Sequence, residues 1–520
     1  MLANIGMVTC IAAGPSLLIY PVPAVYREHL SHSFSVTIND QSVPVLNHVG
    51  VKGYVEYAQC SLQGGASVAI EANEPIESFH ITPAAAVSQV KSEGSHLHFA
   101  MAGPAYVVIQ INRLNLLCLI ADPMETDIPN PASPGVVDVA QHGIDSSGRT
   151  VVTRQLQAQI DGVSNAGGGT LCFAPGVYRT GTLNLKSGVS LYLASGAVML
   201  GSNRPADYPI TGTQVRKGSV RNSATLLRAL HAHDIRIYGR GVIDVGTGKE
   251  NFKGYLTGLN IIDCQRVRVD GLTEANCRGW TVFGFCQDVT ISNFKSLQDT
   301  GHSTVDACDI VNCRKVKASH CLLVGGDDGF CVKACGTSGG MASTWGYRES
   351  PGQPMVAADV TLSDSVIYSN AAALKIGMQA FADISRVVFK NIDIARTRWL
   401  AIDHEQGAGR FDDIEFCDVR VDEVASSMNY SGKPQPLSFT VTPINGSAAP
   451  AGGAVGKVLL KNVSFADGGM ANSAINGAPG GWSFANIRCE NLRIAGQLVT
   501  SANSGHIDVG AGAGSITFLP

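Results

Sequence analysis

Charge of either sign is scarce in this chain. Its 42 acidic and 38 basic residues make up 15% of 520, where a soluble domain usually carries ~25%. The net charge of −4 leaves no cationic footprint for nucleic acid or an anionic membrane, so both partner classes are excluded. Long apolar runs are also missing, none approaching the ~20 residues that span a bilayer. The stretch through Pro21 is apolar but has no basic segment ahead of it, the first Lys or Arg being Arg27. A secretory leader is therefore not expected, and export has to be argued from the substrate. The 14 cysteines form no paired CxxC motif and no His/Cys cluster at zinc spacing, which predicts no metal centre. Most of them, including Cys308, Cys313, Cys321, Cys331, Cys417 and Cys489, sit in strand-like apolar runs and are expected as buried small hydrophobes. The remainder could pair as disulfides in an exported protein.

What the chain does have is glycine, 58 residues of it, and 45% apolar side chains. That is enough to bury a core and far from a disordered composition, and it suggests strands joined by many tight turns. Residues 1–125 alternate apolar and polar side chains in short stretches such as Phe34 to Ile38 and Tyr106 to Ile111, which predicts a small antiparallel β-sandwich. Four prolines between Pro123 and Pro134 can continue neither a helix nor a central strand, so 126–136 reads as a linker. Beyond it, Val152, Leu156, Ile160 and Val163 recur at helical spacing until Gly167-Gly168-Gly169 ends the pattern.

From there to the C-terminus a short unit returns: alternating β-branched residues closed by Asn, Asp, His or Gly. It begins at Ile235, Val267, Val289, Val316, Val360, Val387, Ile414, Val458 and Ile487, with spacings of 32, 22, 27, 44, 27, 27, 44 and 29 residues. Such a unit is too short for βαβ and fits one coil of a parallel β-helix over 137–520, the two gaps of 44 counting as two coils each. A β-propeller, whose repeat of ~40–45 residues holds four strands, fits only the long gaps. The helix would cap the open end of the solenoid.

A solenoid offers a long groove to an extended polymer. Here Asp306 and Asp327 lie 21 residues apart, close to one coil, and should occupy adjacent rungs ~4.8 Å apart. Their side chains could then diverge to the ~6.5–9.5 Å that inverting glycoside hydrolysis uses to admit a water. With Asp328 added, repulsion keeps one proton on the group, which is what a general acid needs. Successive strand residues face opposite ways, so Asp327 and Asp328 can share a site only if Gly325-Gly326 bends or bulges the strand. Asp-Asp-Gly is also ordinary turn chemistry, and clustered carboxylates also suit Ca²⁺.

The stretch Val137 to Ser202, with the helix and the run AGGGTLCFAPGVYRTGTLNLKSGVSLYLASGAVMLGS, resembles the opening of glycoside hydrolase family 28, the polygalacturonases and their relatives. That family's Asn-Thr-Asp-Gly-x-Asp motif is echoed by Thr304 to Asp309, and its Gly-Asp-Asp stands as Gly326-Asp327-Asp328. The resemblance covers roughly residues 137 to 495. It implies a right-handed parallel β-helix and hydrolysis with inversion, Asp327 acting as general acid while Asp306 and Asp328 activate water. The sandwich resembles accessory domains ahead of bacterial members and of dextranase-type enzymes. Two family features are absent: no Gly-His-Gly lies between Asp328 and Lys375, and the Arg-x-Lys signature is reduced to Ala373-Leu374-Lys375. Without that Arg, a bidentate partner for a uronate carboxylate is missing.

Substrate contacts are expected from Lys333 and Lys375, from Trp399 with Arg398, and from Asp403 and His404 one coil further on. Trp280 and His302 are further candidates, as are Trp345, Tyr347 and Arg348 in the 336–358 insertion, the one segment able to block the groove for exo cleavage. Aromatic faces stack on sugar rings. The sequence thus points to a polysaccharide hydrolase without cofactor, on pectic or uronate-containing glycans, secreted or periplasmic because such polymers lie outside cells. Oligomeric state is open. A dextranase-like hydrolase, a calcium-dependent lyase on the same fold and a non-catalytic glycan-binding β-helix remain alternatives.

Overall fold

The computed structural model describes residues 16–48, 55–216, 219–246, 252, 254–336, 356–443 and 448–520. Residues 17–123 form two facing sheets of six and five strands, with Val36, Ile38, Ile70, Leu97, Ile109 and Leu119 buried between them. Alternation explains this sandwich: Phe34–Ile38 and Ala66–Ala72 expose every other side chain and bury the rest. No strand occurs between Pro123 and Val136. The helix Thr153–Asn165 buries Leu156, Ile160 and Val163 against the first strands of a right-handed parallel β-helix that runs to Leu519.

The nine unit starts read from the sequence lie in one column. Ile235 pairs with Val267, and the line continues through Val289, Val316, Val360, Val387, Ile414 and Val458 to Ile487. Each points inward, so every rung repeats the same apolar contact. One expectation is corrected. Val316 pairs directly with Val360, and Ile414 with Val458, so the 44-residue gaps are single coils carrying long excursions. The polar residue closing each unit sits at a bend of positive φ: Asn293 (49°), Asp364 (51°), Asn391 (54°), Asp418 (55°), Asn462 (52°) and Asn491 (50°). Asn and Asp tolerate this left-handed conformation better than other residues with a Cβ. Their side chains also bond rung to rung, Asn391 to Asp364 at 2.7 Å and Asn462 to Asp418 at 2.8 Å.

Each coil has three faces. The first is the sheet containing Cys308–Val311, Phe330–Ala334, Ala372–Ala380 and Trp399–Gln406. The second holds the column just described. The third is covered by the sandwich: Tyr57, Tyr106, Cys118 and Ile120 pack on Leu297, Leu322, Val324 and Tyr368. At its centre Asp122, wholly buried, accepts 2.8 and 3.0 Å bonds from the equally buried Lys295 Nζ. The Tyr106 and Tyr20 hydroxyls donate to the same carboxylate at 2.5 and 3.1 Å. All 13 described cysteines are free thiols, twelve of them buried, so the disulfides allowed for are not formed. Among the described residues no helix is long and apolar enough to cross a membrane.

The Asp122–Lys295 contact gives a stability test, since removing one partner strands an uncompensated buried charge. Asp122→Ala should lower unfolding free energy by about 3–5 kcal/mol in denaturant melts. A loss below about 1 kcal/mol would show that the sandwich docks through its apolar contacts alone.

Candidate active site

The acidic residues gather where the chain turns from the third face into the first. The strand Leu322–Gly325 ends, Asp327 and Asp328 occupy the turn, and the next strand starts at Phe330. The two carboxyl groups therefore share a site through a turn and not through a bulged strand, which corrects the expected bend within the strand. Gly326 permits it: a Cβ there would lie 2.2 Å from the Asp299 carbonyl oxygen and 2.3 Å from that of His302, so only glycine fits. Cys308 pairs with Phe330, and the Ala307 N–H donates to the Asp328 carbonyl at 2.9 Å. Asp306 is thereby set on the rung preceding Asp328.

One carboxylate oxygen from each of Asp306, Asp327 and Asp328 lies within 4.8 Å of the others. The nearest oxygens of Asp306 and Asp327 thus lie closer than the ~6.5–9.5 Å divergence expected from the sequence. Two oxygens at that separation can both bond one bridging water, each at an ordinary hydrogen-bond length.

Two lysines are threaded through the cluster. Lys375 Nζ donates to Asp328 Oδ2 at 2.9 Å, and Asp328 Oδ1 accepts from the Ala372 N–H at 3.0 Å. Lys333 Nζ bridges Asp306 (2.9 Å) and Asp309 (2.6 Å) and stands 3.4 Å over the Trp280 ring. Asp327 Oδ2 accepts from the Thr304 N–H at 2.6 Å. Four carboxyl groups thus face two ammonium groups, and the electrostatics sort them. Burial, reinforced by the charge of Asp328, holds the Asp327 carboxyl above the usual carboxylate range. Burial opposes ionisation of Asp328 too, but Lys375 and Lys333 outweigh it and keep that carboxyl low. Burial raises Asp306 well above the ordinary range despite Lys333, and Asp309 to about 6. One ammonium shared by two buried carboxyls leaves a proton on one of them. Asp306 and Asp328, which the resemblance gives a shared part in activating water, thus stand in different electrostatic surroundings, burial pushing Asp306 up and the lysines holding Asp328 down.

Other residues fall where the sequence did not put them. Lys333, 2% exposed, is neither a solvated strand edge nor a hand for substrate; it is the internal counter-ion of Asp306 and Asp309. His404 is wholly buried, its Nε2 2.8 Å from the Gly409 carbonyl and its ring against Phe411 and Trp482. Burial lowers its pKa, so it is a neutral core residue and not a substrate ligand. Lys375 keeps 15% of its side chain exposed and can still reach a ligand. Asp403 is half-buried near Lys375, its pKa raised by burial. Trp399 is half-buried under the Arg398 guanidinium at 3.9 Å, which is itself tied to the Ser431 and Gly432 carbonyls. His302 lies beside the turn with Nδ1 2.9 Å from the Ser303 carbonyl. Trp345, Tyr347 and Arg348 lie outside the described residues, as does most of the insertion carrying them.

Tyr430 was not found from the sequence. Its hydroxyl is buried without a well-formed hydrogen bond and is close enough to Asp327 and Asp328 that their charges, after burial, push its titration up. It sits in an excursion between strands where no periodicity marks it. Asp309 was visible in the motif, but its pairing with Lys333 was not. The triad oxygens could in principle hold a cation; Lys333 and Lys375 already compensate that charge.

No family model matches the chain. Over 160 residues it is 36% identical to an exo-poly-α-D-galacturonosidase of Dickeya chrysanthemi, covering 28% of this chain and 26% of that protein. Over 207 residues it is 25% identical to a probable polygalacturonase of Vitis vinifera, covering 36% and 42%. The chain thus matches less than half the length of these curated relatives. Among solved structures, the family 28 exopolygalacturonase of Yersinia enterocolitica superposes with a TM-score of 0.56 at 16% identity, covering 86% of this chain and 91% of that one.

The turn can be tested directly. Gly326→Ala should displace both carboxyl groups and cut turnover at least a hundredfold while the far-ultraviolet spectrum stays that of the parent. Parental activity would show that the turn has slack that the backbone contacts at Gly326 deny.

Proposed function

We propose that the chain, a polygalacturonase-like protein of the glycoside hydrolase family 28 kind, cleaves glycosidic bonds in a pectic polysaccharide. The observation carrying this reading is the pair Asp327 and Asp328: adjacent, facing one site, and pushed to opposite proton affinities. Asp327 keeps its proton and delivers it to the leaving glycosidic oxygen. Asp328, ionised against Lys375, takes the proton of the attacking water. Asp306 shares that water as a hydrogen-bond partner, and Lys333 fixes its orientation. The Tyr430 hydroxyl, beside Asp327, can donate to that carboxyl as it loses its proton. In this reading residues 1–125 are an accessory domain, 126–136 a linker and 137–520 the catalytic domain, and the protein works outside the cytoplasm, where pectic polymers are found.

The test incubates polygalacturonate, rhamnogalacturonan, xylogalacturonan and dextran with the protein, with and without chelator, reading reducing ends and the ultraviolet absorbance of unsaturated uronides. Reducing ends on a pectic substrate, unaffected by chelator and without that absorbance, are expected, and Asp327→Asn should remove them. Absorbance abolished by chelator would replace hydrolysis by metal-dependent elimination. Product size separates terminal from internal cleavage. The first-formed sugar, followed by NMR, should show inverted anomeric configuration; retention would make Asp328 or Asp306 a nucleophile.

The pH profile follows from the same two groups. Activity should fall on the acid side as Asp328 is protonated, below the ordinary carboxylate range, and on the alkaline side as Asp327 loses its proton, above that range. Lys375→Met removes the cation that keeps Asp328 ionised, so the acid limb should move up by about one pH unit or more. An unmoved acid limb would take Asp328 out of the base role.

A further inference from the structure

The second face of the solenoid carries an open groove of about 730 Å³, running across five or more rungs and separated from the candidate active site on the first face. Six cationic and three anionic side chains line it, an excess of positive charge in a chain of net −4. The charges fall into two columns of different character. In the outer column, residues at the same bend of successive coils pair across rungs: Asp234 with Arg266 at 2.6 Å, Asp288 with Lys315 at 3.7 Å, and Asp359 with Arg386 at 2.6 Å. That column neutralises itself. The inner column reads Arg236, Arg268, Thr290, Lys317 and Thr361, in register from rung to rung. Arg236 is matched by Asp127 of the linker at 2.5 Å. Arg268 and Lys317 are exposed and, among the described residues, no carboxylate pairs with either.

We infer that this inner column is a second binding track for an extended uronate polymer, apart from the cleavage site. Arg268 and Lys317 stand two rungs apart, roughly 9–10 Å, with the hydroxyls of Thr290 and Thr361 on the rungs between and beyond. A rung is about as long as one pyranose unit, and in an extended polyuronate every second carboxylate returns to the same side. Cation and hydroxyl therefore alternate with the period that such a chain presents, and charge complementarity selects an acidic glycan over a neutral one. The inference rests on the proposed substrate class, because a neutral polymer would gain nothing from the two cations. Its use is one of local concentration: holding one stretch of polymer raises the frequency with which another stretch meets the cleavage face.

Affinity electrophoresis through gels containing polygalacturonate, dextran or polyglutamate tests this, with the full-length chain carrying Asp327→Asn so that the gel is not digested. Polygalacturonate should slow the protein and dextran should not, and adding Arg268→Ser with Lys317→Ser should weaken retention about tenfold, the worth of two exposed charge contacts. In the otherwise unaltered protein the same pair of substitutions should leave kcat/KM on a trigalacturonate unchanged. Retention that survives the substitutions, equal retention by polyglutamate, or a parallel fall in trimer hydrolysis would each overturn the track. Retention lost on substitution in a protein that hydrolyses none of the substrates would keep the track and remove the catalytic reading.

Discussion

A parallel β-helix must place equivalent residues of every coil in register at ~4.8 Å, and this constraint governs everything else in the molecule. The column from Ile235 to Ile487 meets it with β-branched side chains facing inward, each contributing roughly 1.5–3 kcal/mol by burial. The bends meet it with Asn and Asp, whose left-handed backbone and rung-to-rung side-chain bonds repeat without a Cβ penalty large enough to break the stack. Loops of any length can leave the coil between these points. That is why an excursion such as the one ending at Val360 leaves the pairing of Val316 intact.

The same spacing creates the electrostatic problem that the site turns to use. Carboxyl groups on adjacent rungs and in one tight turn cannot all ionise when buried. The chain supplies two lysines for four carboxyls, and their placement is unequal. Lys375 donates its hydrogen bond to Asp328, while Lys333 divides its own between Asp306 and Asp309. Asp328 is thus held low by its counter-ion, while Asp327, which accepts no hydrogen bond from a lysine, is held up by burial. The two groups differ by their counter-ions, not by their chemistry, which is how two identical neighbouring side chains come to have opposite proton affinities.

The fold was largely legible because its determinants are periodic: the column of unit starts, the bend residues and the capping helix all leave a repeating mark on the sequence. The long gaps were misread because spacing counts residues and cannot distinguish an extra coil from a loop. At the site, Asp306, Asp327 and Asp328 could be found through the resemblance and the Gly-Asp-Asp turn. What sequence could not show was the direction in which a lysine or histidine on a strand is satisfied. Lys333 and His404 look like groove residues by position, yet one turns to a buried carboxylate pair and the other to Phe411 and Trp482. Tyr430 belongs to no repeat and reaches the site only because its excursion folds back over Asp327.

The three faces divide the labour of the chain in a way that follows from what each must satisfy. The third face is apolar and takes the sandwich, with Asp122 and Lys295 fixing the register of docking at the centre of that contact. The first face interrupts its strands with turns, so its polar groups converge. The second has, among the described residues, neither a covering domain nor a converging turn, and charge on an exposed sheet face of that length keeps it from apolar self-association. Self-paired ladders such as Asp234–Arg266 suffice for that purpose. The unmatched Arg268 and Lys317 exceed it, and it is this surplus, beside a column that balances its own charge, that distinguishes a binding track from a merely soluble surface.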